Sequence, residues 1–274
     1  MSYRINRNIK KNKDKVANSK QNTNNSPISI ATHAFPIYGM KTIEGNLQPY
    51  EIHGTSFYIG RNLFLTALHV TQYARQSEQT RIGYLGQAQP GCVKLHNYEI
   101  VEEFINSDLA LIKCDEILTY ENKPQAIKWS GIELLIFEEV RAMGYPHGYD
   151  AFKGFTNSRG FLGTLVGELD FERSELDARC YELSFQAPKG LSGSALLDKN
   201  YKIHGVVIGN NEKEMFVFQD KFIIHEAGKQ IERHEIKNEV TFIGLAVSER
   251  HIFRLHSKYL GMSFHEYLRL EKLH

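Results

Sequence analysis

Residues 187–198 read APKGLSGSALLD, and this stretch decides how the whole chain is interpreted. Gly190 and Gly193 flank Ser192 at the point where a loop meets an apolar strand. Because glycine adopts backbone angles that other residues resist, such a turn can aim the amides of Gly190 and Ser192 at one oxygen. Amides placed in this way stabilise the oxyanion of a tetrahedral intermediate, and one donor contributes on the order of 3 kcal/mol. The alternative is an ordinary Gly/Ser-rich turn.

Two other stretches carry the residue types that would act with this serine. Residues 63–70 read LFLTALHV and predict an apolar strand that ends at His69, whose side chain can exchange protons near neutral pH. Residues 106–113 read NSDLALIK and place Asp108 directly before a second apolar strand. Asp108 either caps a turn or accepts the Nδ1 proton of a histidine and so fixes its tautomer. A purely structural histidine is the alternative at His69.

The pattern of apolar residues predicts an all-β protein. Between residues 28 and 247 it consists of short runs of β-forming side chains that are separated by turn residues. About a dozen strands without intervening helices favour antiparallel barrels or a sandwich. Helices are predicted only at the end, where Ser248 is a candidate N-cap for residues 249–258. Ser263 and Glu266 then form a candidate capping box for a second helix through Leu270.

Composition and charge exclude several classes of function. The 274 residues carry a net charge of +1, but residues 1–27 hold seven Lys/Arg against one Asp. The remaining residues hold 26 Lys/Arg against 31 Asp/Glu, so the body is not basic enough to make nucleic acid the expected partner. The Asn-rich segment 1–27 has few large apolar side chains and is expected to be a solvated tail.

Neither a membrane anchor nor a metal or disulfide framework is expected. The sequence has no run of 18 apolar residues and no apolar segment typical of a secretory signal. Its three cysteines, Cys92, Cys114 and Cys180, are scattered and odd in number, which indicates free thiols in a reducing compartment. We therefore expect a cytoplasmic protein without cofactor, metal or membrane partner.

Taken together, the three stretches resemble the trypsin/chymotrypsin-like serine peptidases, in particular the bacterial HtrA-like branch that lacks disulfides. The order His69, Asp108, Ser192, with separations of 39 and 84 residues, is that of this family. Residues 140–146 (VRAMGYP) resemble the strand that opens the second barrel, and residues 203–209 (IHGVVIG) resemble the strand after the nucleophile. The α/β-hydrolases and subtilisin-like enzymes are excluded because their catalytic residues follow a different order.

The resemblance implies two antiparallel, six-stranded Greek-key β-barrels of the chymotrypsin-like type, with a cleft between them and short C-terminal helices. It divides the chain into a basic tail (1–27), a first barrel with the histidine and aspartate (28–125), a second barrel with the serine (132–247) and C-terminal helices (248–274). Because only 27 residues follow Val247, no PDZ domain is expected.

The resemblance also implies the roles of the site residues. His69, Asp108 and Ser192 would form a catalytic triad, and the amides of Gly190 and Ser192 would form the oxyanion hole. Gln186 matches the floor of the primary substrate pocket, and residues 208–210 (Ile208, Gly209 and Asn210) match its wall. Since Gln186 is uncharged, no counter-ion for a substrate Arg or Lys is expected. Leu191 stands where secreted enzymes place an aspartate, so activation by a new N-terminus is not expected.

These inferences predict an intracellular serine endopeptidase of bacterial type that acts on protein or peptide substrates under the control of a regulatory protein partner. A catalytically inactive trypsin-like module that binds peptides is one alternative. An adaptor whose basic tail docks on an anionic partner is another. The charged stretch from Asn211 to Asn238 is predicted to be a solvated hairpin and loop, with a cover for the cleft or a partner site as the other interpretations.

Overall fold

The computed structural model describes residues 33–85, 93–119, 123–150, 155–173, 176–226 and 229–274. The predicted tail at residues 1–27 and Cys92 lie outside these residues. Within them, no helix is long and apolar enough to cross a membrane. The chain is mostly β-structure, arranged in two units of antiparallel strands, as the sequence predicted.

The first unit is a seven-stranded antiparallel sheet with the order β5-β4-β1-β2-β3-β7-β6. Its strands are β1 (Ala34–Ile43), β2 (Asn46–Gly60), β3 (Leu63–Ala67), β4 (Gln79–Leu85), β5 (Val93–His96), β6 (Glu99–Phe104) and β7 (Leu109–Lys113). The two edge strands, β5 and β6, are consecutive in the chain, and only residues 97 and 98 separate them. The sheet must therefore curl until its edges meet. The count of seven instead of the predicted six arises because this break divides one long strand into two.

The second unit contains a closed six-stranded barrel with the order β11-β12-β15-β14-β13-β8. Its strands are β8 (Glu139–Gly144), β11 (Arg159–Arg173), β12 (Leu176–Leu183), β13 (Ala195–Asp198), β14 (Ile203–Glu226) and β15 (Lys229–Ser248). A two-stranded sheet of β9 (Tyr149–Asp150) and β10 (Phe155–Thr156) lies between β8 and β11 in the chain. The domain boundaries predicted from the sequence stay predictions.

Within the stretch from Asn211 to Asn238, the described residues form the two strands of a β-hairpin, where the sequence predicted a hairpin and a loop. Strands β14 and β15 remain paired from Gly209 and Leu245, next to the barrel, to Glu226 and Lys229 at the tip. The hairpin is therefore a direct extension of two barrel strands.

Hydrophobic packing joins the two units. In β8, buried positions alternate with half-buried ones, as expected for a strand with one face on a core. One core cluster includes Leu65 and Leu111 of the first unit together with Val206 and Val247 of the second. The interface is therefore part of a common core, which holds residues of both units in fixed positions.

The described residues include three α-helices of six or more residues, and the first of these was not predicted. Helix α1 (Leu68–Arg75) follows β3 directly, so the expectation of helix only near the C terminus was wrong. Three of its four buried residues, Leu68, Thr71 and Ala74, recur every three positions and face the core. Packing of this face against the sheet stabilises a helix that its residues favour only weakly.

The two C-terminal helices begin where the capping residues predicted. Ser248 accepts a hydrogen bond from His251 N at the start of α2 (Glu249–Arg254), and Ser263 and Glu266 form the capping box of α3 (Phe264–Leu270). Helix α2 is shorter than the predicted range 249–258 because the chain becomes extended at Leu255. Residues 256–257 (β16, His256–Ser257) then pair with β17 (Met262–Ser263).

Glu249 at the start of α2 is a buried carboxyl, 2% exposed. Burial raises its pKa to about 7, although the amide of Gly131 donates to its Oε2 over 3.2 Å. His204 Nδ1 lies 3.7 Å from Glu249 Oε1, but burial lowers the pKa of His204, so the ring is neutral at pH 7 and does not offset the carboxylate charge. Ionised Glu249 therefore destabilises the fold.

We expect a Glu249→Gln variant to be more stable than the parent protein above pH 7, by on the order of 2 kcal/mol. A carboxyl with a raised folded-state pKa binds its proton more tightly when folded, so the parent loses stability as the pH rises from about 4.5 to about 7. The variant lacks this loss. Urea denaturation at pH 5 and pH 8 measures the difference, and an equal free-energy difference at both pH values would contradict the prediction.

Candidate active site

Asp108 occupies an unusual backbone conformation directly before β7. It ends a short 3₁₀ turn (Ile105–Ser107) and has φ +49° and ψ +42°, in the left-handed region that aspartate tolerates better than most residues. Strand β7 pairs with β3 so that Leu109 lies opposite Ala67. The main-chain oxygen of Asp108 then accepts from the amide of Leu68 at 2.9 Å. This register brings Asp108 beside the first turn of α1.

His69 is held by both carboxylate oxygens of Asp108. Its amide donates to Oδ1 over 3.0 Å, and its ring nitrogen Nδ1 lies 2.7 Å from Oδ2. Because a carboxylate only accepts hydrogen bonds, Nδ1 carries the proton and the neutral ring presents an unprotonated Nε2. The ring of Tyr73, one turn later in α1, packs against His69 edge to face at 5.9 Å. The imidazole is thereby fixed in tautomer and orientation, with 27% of its side chain exposed.

The serine turn connects β12 to β13 and is held by its own main-chain hydrogen bonds. Leu191 N donates to Pro188 O over 2.9 Å, and Ser194 N donates to Leu191 O over 3.1 Å. Gly193 N donates to Val207 O over 2.7 Å, which ties the turn to β14. Among the described main-chain hydrogen bonds, none has the amide of Gly190 or Ser192 as donor. These are the two amides predicted to bind an oxyanion.

Both glycines around Ser192 are required by geometry. Gly190 has φ +100° and Gly193 has φ +85°, a region that L side chains rarely adopt. A Cβ atom on Gly190 would lie 2.5 Å from Tyr145 O, and one on Gly193 would lie 2.0 Å from Thr55 O. The turn therefore packs so closely against its neighbours that no side chain fits at either position.

The serine turn meets the histidine segment across the interface between the two β-units. Ser192 O accepts from Thr55 N over 2.8 Å, and a Cβ on Gly193 would lie 3.0 Å from Ala67 N, two residues before His69. The structure thus brings the His69–Asp108 pair and the Ser192 turn, which the sequence separates widely, to one interface.

Ser192 is a buried residue, 7% exposed, and its hydroxyl donates a long hydrogen bond, 3.4 Å, to Ile208 O. The hydrogen bonds of the described residues include none between Ser192 Oγ and the His69 ring. Catalytic hydrogen bonds are often long or absent in unliganded sites and form when substrate binds.

The residues predicted to form the substrate pocket lie on two segments, and one of them, Ile208, contacts Ser192. Ile208 is buried at a β-bulge of β14, and its main-chain oxygen faces the Ser192 hydroxyl. Gly209 has φ +147° and open space where a side chain would begin. The side chain of Asn210 reaches the segment that precedes Ser192. It accepts a hydrogen bond from Ala187 N over 2.7 Å and donates one to Ala187 O over 3.1 Å. Gln186, which the sequence predicted as the floor of the pocket, is exposed.

Sequence reasoning missed two residues that support the serine turn. Gly190 O accepts from the Thr55 hydroxyl over 2.8 Å and from Tyr145 N over 3.3 Å. The available signal was the run of small residues 54–56 (GTS) directly before the apolar residues 57–59 (FYI), which is typical of close approach by another chain segment. A Cβ on Gly54 would indeed lie 2.8 Å from Ser192 O.

The described cysteines are buried free thiols, as expected for these two positions. Burial raises the pKa of Cys180 to about 12, with the nearby charge of Asp108 adding to the effect, and burial also raises the pKa of Cys114. Neither thiol is therefore ionised near neutral pH, so neither is a competing nucleophile. Among the described residues there is no cluster of three or more His, Cys, Asp or Glu side chains placed to hold a metal ion.

Comparison with known proteins gave structural matches only: no family model and no curated sequence matches the chain. The active form of the Rv3671c protease from M. tuberculosis has a TM-score of 0.52 and 16% identity, with 81% of this chain and 78% of that chain covered. The HtrA-type protease AlgW with a decapeptide gives 0.54 and 14%, with 80% and 62% covered. The MamO protease domain from Magnetospirillum magneticum gives 0.51 and 10%, with 81% and 94% covered.

These matches define the class of fold. The chain has the chymotrypsin-like fold of two β-units that trypsin-like and HtrA-type serine proteases share, as the sequence predicted. At this level of identity the likeness establishes the fold alone.

Proposed function

We propose that this chain is a serine endopeptidase in which His69, Asp108 and Ser192 form the catalytic triad. The observation that carries the proposal is the His69–Asp108 pair, with its 2.7 Å contact, at the same interface as a glycine-flanked serine turn. The peptide bound to AlgW, which has the same fold, supports a peptide as substrate.

The proposed reaction is acyl transfer. His69 Nε2 removes the proton of Ser192 Oγ while this oxygen forms a bond to the substrate carbonyl carbon. The carbonyl electron pair moves to the oxygen, which the amides of Gly190 and Ser192 bind. The C–N bond then breaks, the protonated His69 gives its proton to the leaving amine, and water hydrolyses the acyl-enzyme by the same route.

A fluorophosphonate probe tests the nucleophile directly. We expect the probe to modify Ser192, because its attack on phosphorus needs the same histidine and the same oxyanion amides as peptide hydrolysis. Peptide mapping by mass spectrometry locates the modified residue. Labelling at another serine, or none under conditions where the protein is folded, would contradict the proposal.

A peptide-binding module without activity is the second candidate. It is favoured by the hydrogen bond of Ser192 Oγ to Ile208 O, which points the hydroxyl toward main chain instead of toward His69. Turnover of a peptide substrate by the labelled site separates the two functions. Peptide binding in the absence of both labelling and turnover would establish the inactive module.

We also propose that the pocket residues Ile208, Gly209 and Asn210, with Gln186 nearby, select small, uncharged substrate side chains. Two hydrogen bonds between Asn210 and Ala187 link the segments on either side of Ser192, and in this proposal the link limits the size of the side chain that fits between them. Since Gln186 carries no charge, it offers no counter-ion to a substrate Lys or Arg.

We expect Asn210→Ala to raise kcat/KM for substrates with phenylalanine before the scissile bond by about 10-fold relative to substrates with alanine there. The reason is that the variant lacks the side chain that joins the two segments. Matched peptide pairs measure the ratio. Asn211→Ala is the control, because Asn211 bonds Glu182 and not Ala187. Equal changes for both substrates would contradict the proposed role.

The proposed location is the cytoplasm, and the proposed control is a regulatory protein partner. The location is supported by the buried free thiols Cys114 and Cys180, which are typical of reducing compartments. Cell fractionation tests the location, and capture by the Ser192→Ala variant in cell extract tests for both substrate and regulator.

A further inference from the structure

Thr55 in β2 occupies the junction between the histidine segment and the serine turn, and it is fully buried. All three of its polar groups are used there. The hydroxyl donates to Gly190 O over 2.8 Å, the amide donates to Ser192 O over 2.8 Å, and the main-chain oxygen accepts from the Thr66 hydroxyl over 2.7 Å. Thr66 lies in β3, three residues before His69.

These contacts hold the peptide planes around the oxyanion amides. The Gly190 carbonyl belongs to the peptide group that joins residues 190 and 191, and the Ser192 carbonyl belongs to the one that joins residues 192 and 193. The peptide group between these two, which joins residues 191 and 192, carries the Ser192 amide. When Thr55 fixes both outer planes, the direction of that amide is restricted from both sides. The Gly190 carbonyl is turned toward Thr55 and Tyr145 N. Among the described hydrogen bonds, none joins the Gly190 amide to a main-chain acceptor.

Glycine makes this restraint necessary. Gly190 has a wide choice of backbone angles, so the same freedom that permits φ +100° also permits rotation of the 190–191 plane. Its carbonyl has two donors, and the shorter of the two bonds is to the Thr55 hydroxyl. Loss of that hydroxyl leaves only the 3.3 Å bond from Tyr145 N to hold the plane.

We infer that Thr55 is a positioning residue for the oxyanion hole: its hydroxyl holds the Gly190 carbonyl so that the amides of Gly190 and Ser192 converge on one point. The described hydrogen bonds of Thr55 include none to the side chains of His69, Asp108 or Ser192, so Thr55 acts through these two amides. The inference rests on the proposed peptidase function. Thr55 thus contributes a side chain from the first β-unit to the proposed oxyanion hole, whose amides all belong to the serine turn.

The test compares Thr55→Val, which keeps the shape and removes the hydroxyl, with Thr55→Ser, which keeps the hydroxyl. We expect Thr55→Val to lower kcat by about 10- to 100-fold, with KM changed less than about 3-fold, because oxyanion contacts act in the transition state. Thr55→Ser should stay within about 3-fold of the parent. Ser56→Ala is the control, since it removes a neighbouring buried hydroxyl that bonds Phe35 O, away from the site.

A second measurement does not depend on activity. In protein labelled with ¹⁵N-glycine, the amide resonance of Gly190 should shift in Thr55→Val and remain near its parent position in Thr55→Ser and Ser56→Ala. An unchanged Gly190 resonance in a folded Thr55→Val protein, or equal losses of kcat in the valine and serine variants, would overturn the inference. A parent protein that cleaves no peptide would instead overturn the proposed function, while the resonance would still report on Thr55.

Discussion

Replacing Ser192 with alanine is expected to lower kcat for peptide hydrolysis by about 10⁵–10⁶-fold and to abolish fluorophosphonate labelling. The variant keeps the turn and its amides but has no oxygen that can form the acyl-enzyme. Stability should change little, because the hydroxyl makes only a 3.4 Å hydrogen bond to Ile208 O. Steady-state hydrolysis, with thermal unfolding to check the fold, measures both effects.

Ser194 provides a matched control two residues away. It is fully buried, and its hydroxyl has no hydrogen-bond partner among the described residues. Ser194→Ala should therefore retain full labelling and hydrolysis, with equal or greater stability. The proposal would fail if Ser192→Ala hydrolysed peptides at the parent rate, or if Ser194→Ala lost activity while Ser192→Ala kept it.

Asp108→Asn is expected to lower kcat by about 10⁴-fold at neutral pH without unfolding the protein. Asparagine also tolerates the left-handed conformation found at this position, φ +49°, and its oxygen still accepts from the His69 amide. Its NH₂ group replaces the oxygen that faces Nδ1 and donates to that nitrogen. The proton of His69 then resides on Nε2, which consequently cannot accept the proton of Ser192.

The comparison for this variant is Asp115→Asn. Asp115 is an exposed residue whose ion pair with Lys113 spans 3.3 Å. Asp115→Asn removes one negative charge, as Asp108→Asn does, but at the surface. Activity should be unchanged in that protein. Hydrolysis by Asp108→Asn within 10-fold of the parent would show that the His69–Asp108 contact does not serve a catalytic role.

Features that depend on neighbours in the chain could be predicted from the sequence. The glycine pair around Ser192 indicated a turn with positive φ, and both glycines adopt it. The Ser263–Glu266 capping box joins residues three positions apart and forms as expected. In these cases the residue type alone supplies the physical cause, which is a missing Cβ or a side chain that bonds a nearby amide.

Features that depend on tertiary packing could not be predicted in this way. Val70 and Thr71 in α1 are β-branched residues that prefer strands, and only the burial of the helix face against the sheet overrides this preference. The Thr55 hydroxyl reaches an acceptor 135 residues away, a pairing that no local pattern reveals. The exposed position of Gln186 likewise follows from the path of the loop in space.

The order in which the chain is synthesised has a consequence for the interface between the two β-units. His69 and Asp108 are synthesised early and Ser192 much later. Strand β15, which closes the barrel of the second unit, ends only at Ser248. A nascent polypeptide, or one cut short within that last strand, would thus hold all three reactive side chains without the scaffold that aligns them. Under the proposed function, we expect a chain that still lacks β15 to have no hydrolytic activity, because the barrel that positions the serine turn is incomplete.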